Sequence, residues 1–260
     1  MLGIVNGEVT ESLRAEDWRA RGHLYEVIRV TDGIPLFLEE HLLRMEKGSP
    51  ALDRVLATDS IRRLIGEVEP GISQNIFVSL DMERGDLAVF FVDSFYPPAQ
   101  WYEQGVDIDV LQVKRVNPNL KVYDADYKKL VSDHLKATGF FETLISDDGL
   151  IKEGSRSNVF FIGEGTLWTP PVLDVLPGIT RDKVLEIAGE MKLEVIEQPV
   201  EAASIGGFTG AFITGTSIDL LPVRSIGGQL YDTVSDPLYR ELLLTYGRKK
   251  EEDRMRYEEA

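Results

Sequence analysis

The stretch GLIKEGSRSNVFFIGEG, residues 149–165, sets one carboxylate, Glu153, directly before a Gly-Ser-Arg-Ser-Asn turn and the apolar run of Val159–Ile162. β-Branched and aromatic residues in that run predict a strand. The small and polar residues before it favour a turn. An acid held at the start of a strand needs a cationic or proton-bearing partner, and the rest of the chain has to account for it.

Around this stretch the second half reads as many short strands with a few helices between them. VDIDVLQV, FETLIS, NVFFI, TLW, LEVIEQ and AFIT are predicted strands; helices are predicted from Asp124 to about Thr138, from Thr180 to about Met191, and near EAASIGG. Such a pattern suggests a pseudo-barrel rather than a doubly wound sheet. In the first half LYEVIRV, residues 24–30, and IPLF form a hairpin across the turn TDG. LEEHLLRMEKG follows as a helix, with Leu38, Leu42 and Met45 on one face and Gly48 as its stop. QNIFVSL and LAVFFV pair across DMERGD. SFYPPAQWYEQG, residues 94–105, breaks every period and is read as a linker. The expected fold is therefore α+β and two-lobed: a small domain over 1–94, a linker over 95–104 and a larger pseudo-barrel domain over 105–260. The charge-dense tail GRKKEEDRMRYEEA reads as a solvated helix.

Composition narrows the function. With 28 basic and 44 acidic residues the net charge is −16, and such a surface repels nucleic acid and anionic lipid. No run reaches the length of a membrane span, and the start MLGIVNGEVTESL lacks the order of a secretory signal, so a soluble, cytoplasmic protein is expected. There is no cysteine, and the three histidines, His23, His41 and His134, form no metal-ligand pair; no metal is expected. Neither common nucleotide-binding glycine loop is present.

Four features carry chemistry when read together. LPGITRDKVLEIAGEM puts a Pro-Gly turn at a helix start, where unsatisfied N–H groups and the helix dipole favour an anion. AFITGTSIDLLPV ends a strand in a Thr-Gly-Thr-Ser turn able to hold the other side of a phosphate. Arg44 lies in an amphipathic helix, and Lys121 lies between a predicted strand and a predicted helix. Each has an ordinary reading as a turn or a surface charge. As a set they meet the needs of pyridoxal phosphate: a lysine amine, amides and a guanidinium for the phosphate, and a carboxylate at the pyridine nitrogen.

The segments LYEVIRV, PLFLEEHLLRM, LKVYDADY, IKEGSRSNVFFI, LWTPPVLDVLPGITRDKVLEIA and ITGTSIDLLPVRSIGG resemble the fold-type IV pyridoxal phosphate enzymes. That group holds branched-chain aminotransferase, D-amino acid transaminase and aminodeoxychorismate lyase, and the likeness runs from about Leu24 to Val223. The resemblance implies that Lys121 is the Schiff-base lysine, 32 residues (153 − 121) before the pyridine-nitrogen partner Glu153. Lys128 and Lys129 are its rivals within a helix. It implies that Arg44 binds the phosphate, as do the backbone of Ile179 and Thr180 and the loop of Gly215 and Thr216. Tyr25, 19 residues (44 − 25) before Arg44, resembles the active-site tyrosine. The Arg-x-His pair that holds the substrate carboxylate in familiar D-amino acid transaminases is missing from FVSLDMERGDLAVFF; Arg21, Arg156 and Arg84 are the candidate replacements.

The activity this implies is transamination between an amino acid and a 2-oxo acid, by a D-amino acid transaminase of atypical carboxylate binding. A branched-chain L-amino acid aminotransferase, an aminodeoxychorismate lyase and a non-catalytic binding protein are the alternatives. The resemblance also implies a homodimer acting on small molecules.

Overall fold

HLYEVIRVT, residues 23–31, alternates so that Leu24, Glu26, Ile28 and Val30 turn to a buried face and the residues between them do not. In the computed structural model, which describes residues 1–20, 22–69 and 71–259, this strand belongs to the first of two units. The first is Met1–Phe95 with Leu120–Asp126 and Lys249–Ala260; the second is Tyr96–Asn119 with Tyr127–Arg248. The segment around Lys121 thus groups with the first unit, whereas the sequence reading assigned it to the second.

The first unit contains strands β1 (Gly3–Val5), β2 (Glu8–Thr10), β3 (His23–Thr31), β4 (Ile34–Pro35), β5 (Gln74–Asp81) and β6 (Leu87–Val92), and helices α1 (Ala15–Trp18), α2 (Leu38–Gly48) and α3 (Arg54–Gly66). The six strands form one antiparallel sheet in the order β2-β1-β6-β5-β3-β4. One face carries Ile28, Val30, Ile76, Val78 and Val89 against Leu42 and Met45 of α2 and Ile61 and Leu64 of α3. The other face is aromatic, with Phe77 and Phe90 buried among Tyr25, Trp18 and Tyr123. Burying a core side chain of this size contributes about 1.5–3 kcal/mol, which explains why so short a sequence pattern places β3 securely.

Two elements here differ from the sequence reading. IPLF is not a full strand: β4 stops at Pro35, and Phe37, at φ 52°, turns the chain into α2. Its N–H donates to Asp253 Oδ2 at 2.6 Å, so a carboxylate from the C-terminal helix satisfies a donor at the start of α2. Helix α3, which the sequence reading did not register, is capped by Asp53, whose side chain accepts from Leu56 N–H at 3.0 Å.

The second unit contains α4 (Ala99–Gln104), β7 (Val106–Gln112), α5 (Ala125–Thr138, from Tyr127 onward), β8 (Thr143–Asp147), β9 (Leu150–Gly154), β10 (Asn158–Gly163), β11 (Thr166–Thr169), α6 (Ile179–Glu190), β12 (Val195–Glu197), β13 (Val200–Glu201), β14 (Gly210–Gly215), β15 (Asp219–Ile226), β16 (Gln229–Leu230) and α7 (Pro237–Glu259), the last running into the first unit from Lys249. Its ten strands form one mixed sheet in the order β12-β11-β10-β14-β15-β7-β8-β9-β13, with β16 on β15. Parallel pairs β15–β7 and β7–β8 lie among antiparallel ones. The linker segment holds α4, with Pro98 as its N-cap, outside the helix, where the N–H that proline lacks would make no intrahelical bond. EAASIGG makes a short 3-10 turn, Ala202–Gly207, ended by its two glycines.

Candidate active site

The first unit presents its residues on the aromatic face of the sheet. Lys121–Tyr123 runs along β3 as an extra edge: Tyr25 N–H donates to the Lys121 carbonyl at 2.9 Å and Tyr123 N–H to the His23 carbonyl at 2.9 Å. Leu24 lies opposite Val122, so Lys121 and Tyr123 share the face of Tyr25. Lys121 Nζ lies 5.0 Å from the centre of the Tyr25 ring. That ring stacks on Phe77 at 5.1 Å and meets Tyr123 edge-on at 5.9 Å. Lys128 and Lys129 are exposed on α5, and Lys129 is tied to Asp133 at 2.5 Å.

On the opposite face, Arg44 grips Glu26 with both arms, Nε to Oε1 at 2.7 Å and Nη2 to Oε2 at 2.5 Å, and His41 Nδ1 meets Oε2 at 2.8 Å. Burial pushes the Glu26 carboxyl up, but Arg44 and His41 outweigh it and hold it at about 2. Burial pushes His41 below its ordinary range, against the pull of Glu26. The sequence reading missed both residues, though a carboxylate at an inward position of a strand was visible in the alternation and such a group needs partners.

In the second unit the elements converge at one end of β9, β10 and β14. Glu153, on β9 and 3 % exposed, accepts from Arg115 and from Leu176 N–H at 3.0 Å, with Asn158 Nδ2 at 3.5 Å. The same Asn158 nitrogen donates to the Leu176 carbonyl at 2.9 Å, tying Glu153 to the loop that opens α6. Helix α6 starts at Gly178 with no side-chain cap, leaving Ile179 and Thr180 at its unsatisfied N-terminus. A Cβ on Gly178 would lie 2.0 Å from Asn158 Oδ1, so only glycine allows this approach. The pairing of Asn158 with Thr214 brings the end of β14, and with it Gly215 and Thr216, to the same place. Thr214 Oγ1 is buried with no partner among the described residues.

Glu142, fully buried, builds the turn between Glu153 and Asn158. It accepts from Ser155 Oγ at 2.5 Å, Ser155 N–H at 3.2 Å, Ser157 Oγ at 3.0 Å and Thr143 N–H at 2.9 Å. Glu142→Ala removes the acceptor of the Ser155 and Ser157 hydroxyls and of the Thr143 N–H and is expected to cost about 2–4 kcal/mol. Chemical denaturation of the purified variant checks this; a loss under about 0.5 kcal/mol would contradict it.

Of the candidate substrate cations, Arg156 has its guanidinium over Phe141 at 4.6 Å and donates to the Phe141 carbonyl at 2.9 Å. Arg84 lies 3.7 Å from Asp81 on an exposed turn. Arg21 falls outside the described residues. Among the described residues, no group of three or more His, Asp or Glu is arranged to hold a metal, and no helix is long and apolar enough to cross a membrane.

The arrangement suits an anionic, aromatic cofactor. An uncapped helix start beside a Gly-Thr turn and an unpartnered hydroxyl can take a phosphate, and a carboxylate held by N–H donors can take a protonated ring nitrogen. The chain matches the amino-transferase class IV family over residues 23–226, and it belongs to that family. Enzymes of this class depend on pyridoxal phosphate. A D-alanine aminotransferase of Bacillus licheniformis is 27 % identical over 253 residues, covering 88 % of this chain and 89 % of the relative. A protein of Methanocaldococcus jannaschii, provisionally named a branched-chain-amino-acid aminotransferase, is 29 % identical over 233 residues, 80 % of this chain and 79 % of its own. The fold is similar to the branched-chain amino acid aminotransferase of Escherichia coli, with a TM-score of 0.80 at 24 % identity over 95 % of this chain and 93 % of that one.

Proposed function

We propose that this aminotransferase moves an amino group between a D-amino acid and a 2-oxo acid, with Lys121 as the reacting amine. The observation that carries the reading is Lys121 Nζ set over the Tyr25 ring, on a segment pinned by two backbone hydrogen bonds. Lys121 would hold pyridoxal phosphate covalently through Nζ. Arg44, the N-terminus at Ile179 and Thr180, and the turn at Gly215 and Thr216 would hold its phosphate, and Glu153 its ring nitrogen. When bound, the cofactor supplies an electron sink for the pair left as the substrate Cα–H bond breaks.

The chain's own groups do the rest. Lys121 Nζ would take the Cα proton of the amino donor and, in the return half, give a proton to the Cα of the amino acid formed from the acceptor. Tyr25, fixed between Phe77 and Tyr123, sets the position of that amine. Glu153 is held in place by Arg115 and the Leu176 N–H, which both donate to its carboxylate.

A D-amino donor is favoured by the likeness to the D-alanine enzyme, which extends over nearly the whole of both chains. A branched-chain L-amino donor is the second reading, favoured by the slightly higher identity of the Methanocaldococcus relative. We read the assembly as a homodimer on resemblance. Adding D-alanine to the cofactor-loaded protein is expected to bleach its visible band and release pyruvate, while L-leucine leaves the band unchanged. Bleaching by L-leucine alone would assign the branched-chain reading instead.

A further inference from the structure

We infer that Arg19 is the cation that receives a carboxylate of the substrate. The inference rests on Lys121 being the reacting amine.

Arg19 ends the short helix α1, its N–H donating to the Ala15 carbonyl at 3.1 Å. The helix is tied to the sheet next to it: the Trp18 carbonyl accepts from Ser79 Oγ at 2.7 Å, and Ser79 lies directly opposite Tyr25 in the β3–β5 ladder. The Arg19 guanidinium carbon lies 5.3 Å from the centre of the Phe77 ring and 5.9 Å from that of Phe90. Phe77 is the ring stacked on Tyr25, over which Lys121 Nζ sits. Two cations therefore share one aromatic face of the first unit, joined through a pair of stacked rings.

Arg19 is also unusual in having no ion-pair partner among the described residues. In a chain of 44 acidic and 28 basic residues, most exposed arginines find an acid; Arg14, five residues earlier, meets both Glu16 and Asp17. The acid on the same side of β5, Asp81, faces His23 and Arg84 instead. Aromatic rings hold a guanidinium in place by its attraction to their faces without neutralising it, so its planar fork stays ready for a carboxylate. Of the rival cations among the described residues, Arg156 is engaged by Phe141 and Glu142 and Arg84 by Asp81. Arg19 supplies what the absent Arg-x-His pair leaves unfilled.

The test is Arg19→Gln, with Arg19→Lys beside it, assayed with pyruvate and with 2-oxoglutarate as amino acceptors. Loss of one charge-assisted pair is expected to raise KM about ten- to a hundredfold with a smaller change in kcat. A rise for both acceptors marks the carboxylate next to the reacting carbon; a rise for 2-oxoglutarate alone marks the distal one. Arg19→Lys should recover part of the loss. A readout without turnover is the binding of glutarate, measured by calorimetry on the cofactor-loaded protein, which should weaken by a similar factor while the visible band is retained. Unchanged KM for both acceptors and unchanged glutarate binding would overturn the assignment. Failure of the Lys121 reading shows separately, as full turnover by Lys121→Ala.

Discussion

Lys121→Ala is expected to lower transamination turnover by at least about a thousandfold while leaving the protein folded. The amine is asked to do two jobs that no neighbour can take over: hold the cofactor and carry the Cα proton. Lys128 and Lys129 lie exposed on α5, and the Tyr25 hydroxyl is too weak a base at neutral pH to move a carbon acid's proton. Stability should change little, because Lys121 is only partly buried and its segment is held through the backbone. Steady-state rates, with far-ultraviolet circular dichroism as the folding control, check both halves.

Glu26→Ala carries the largest expected loss of stability. It leaves Arg44 in the interior without its counter-charge and His41 without its hydrogen-bond partner, a change that costs about 3–5 kcal/mol when a buried pair is broken. It also frees Arg44 from the bidentate grip that fixes it, so affinity for pyridoxal phosphate should fall with it. The same group sets an acid limit. Because the folded-state value of Glu26 lies near 2 against an ordinary 4.5, its contribution is complete above about 4.5. It is lost as the pH falls from there toward 2, as the carboxyl is protonated. His41 acts in the same direction and earlier: held neutral by burial, it withholds a proton that the unfolded chain takes up below its ordinary 6.5, so stability declines from that pH downward. Urea unfolding from pH 7 to pH 4 should show the decline in the wild type and a shallower one in His41→Phe.

Much of the fold was legible because its signals are local. Alternation in residues 23–31 and the helical spacing of Leu38, Leu42 and Met45 correspond to β3 and α2 within a residue or two. Helix α3 was missed although Asp53 and the spacing of Ala57, Ile61 and Leu64 announce it. The brief β4 was overextended, since nothing in IPLF shows that Phe37 adopts a left-handed conformation.

The site was legible where a residue type is unusual for its surroundings and illegible where a partner comes from far along the chain. Glu153 stood out before its turn. Arg115, 38 residues away, could not be matched to it without the ladder that brings β7, β8 and β9 side by side. Glu142 and Ser157 are 15 apart and look like ordinary polar residues until the turn closes on them. Arg19 gave no sign at all, because its setting depends on two phenylalanines from separate strands.

Borohydride reduction of the cofactor-loaded protein, followed by peptide mapping, tests the central claim most directly, because it fixes pyridoxal phosphate to the amine that holds it. The modification is expected on Lys121 and on no other residue. Finding it on Lys128 or Lys129, or finding no fixed cofactor, would contradict the account.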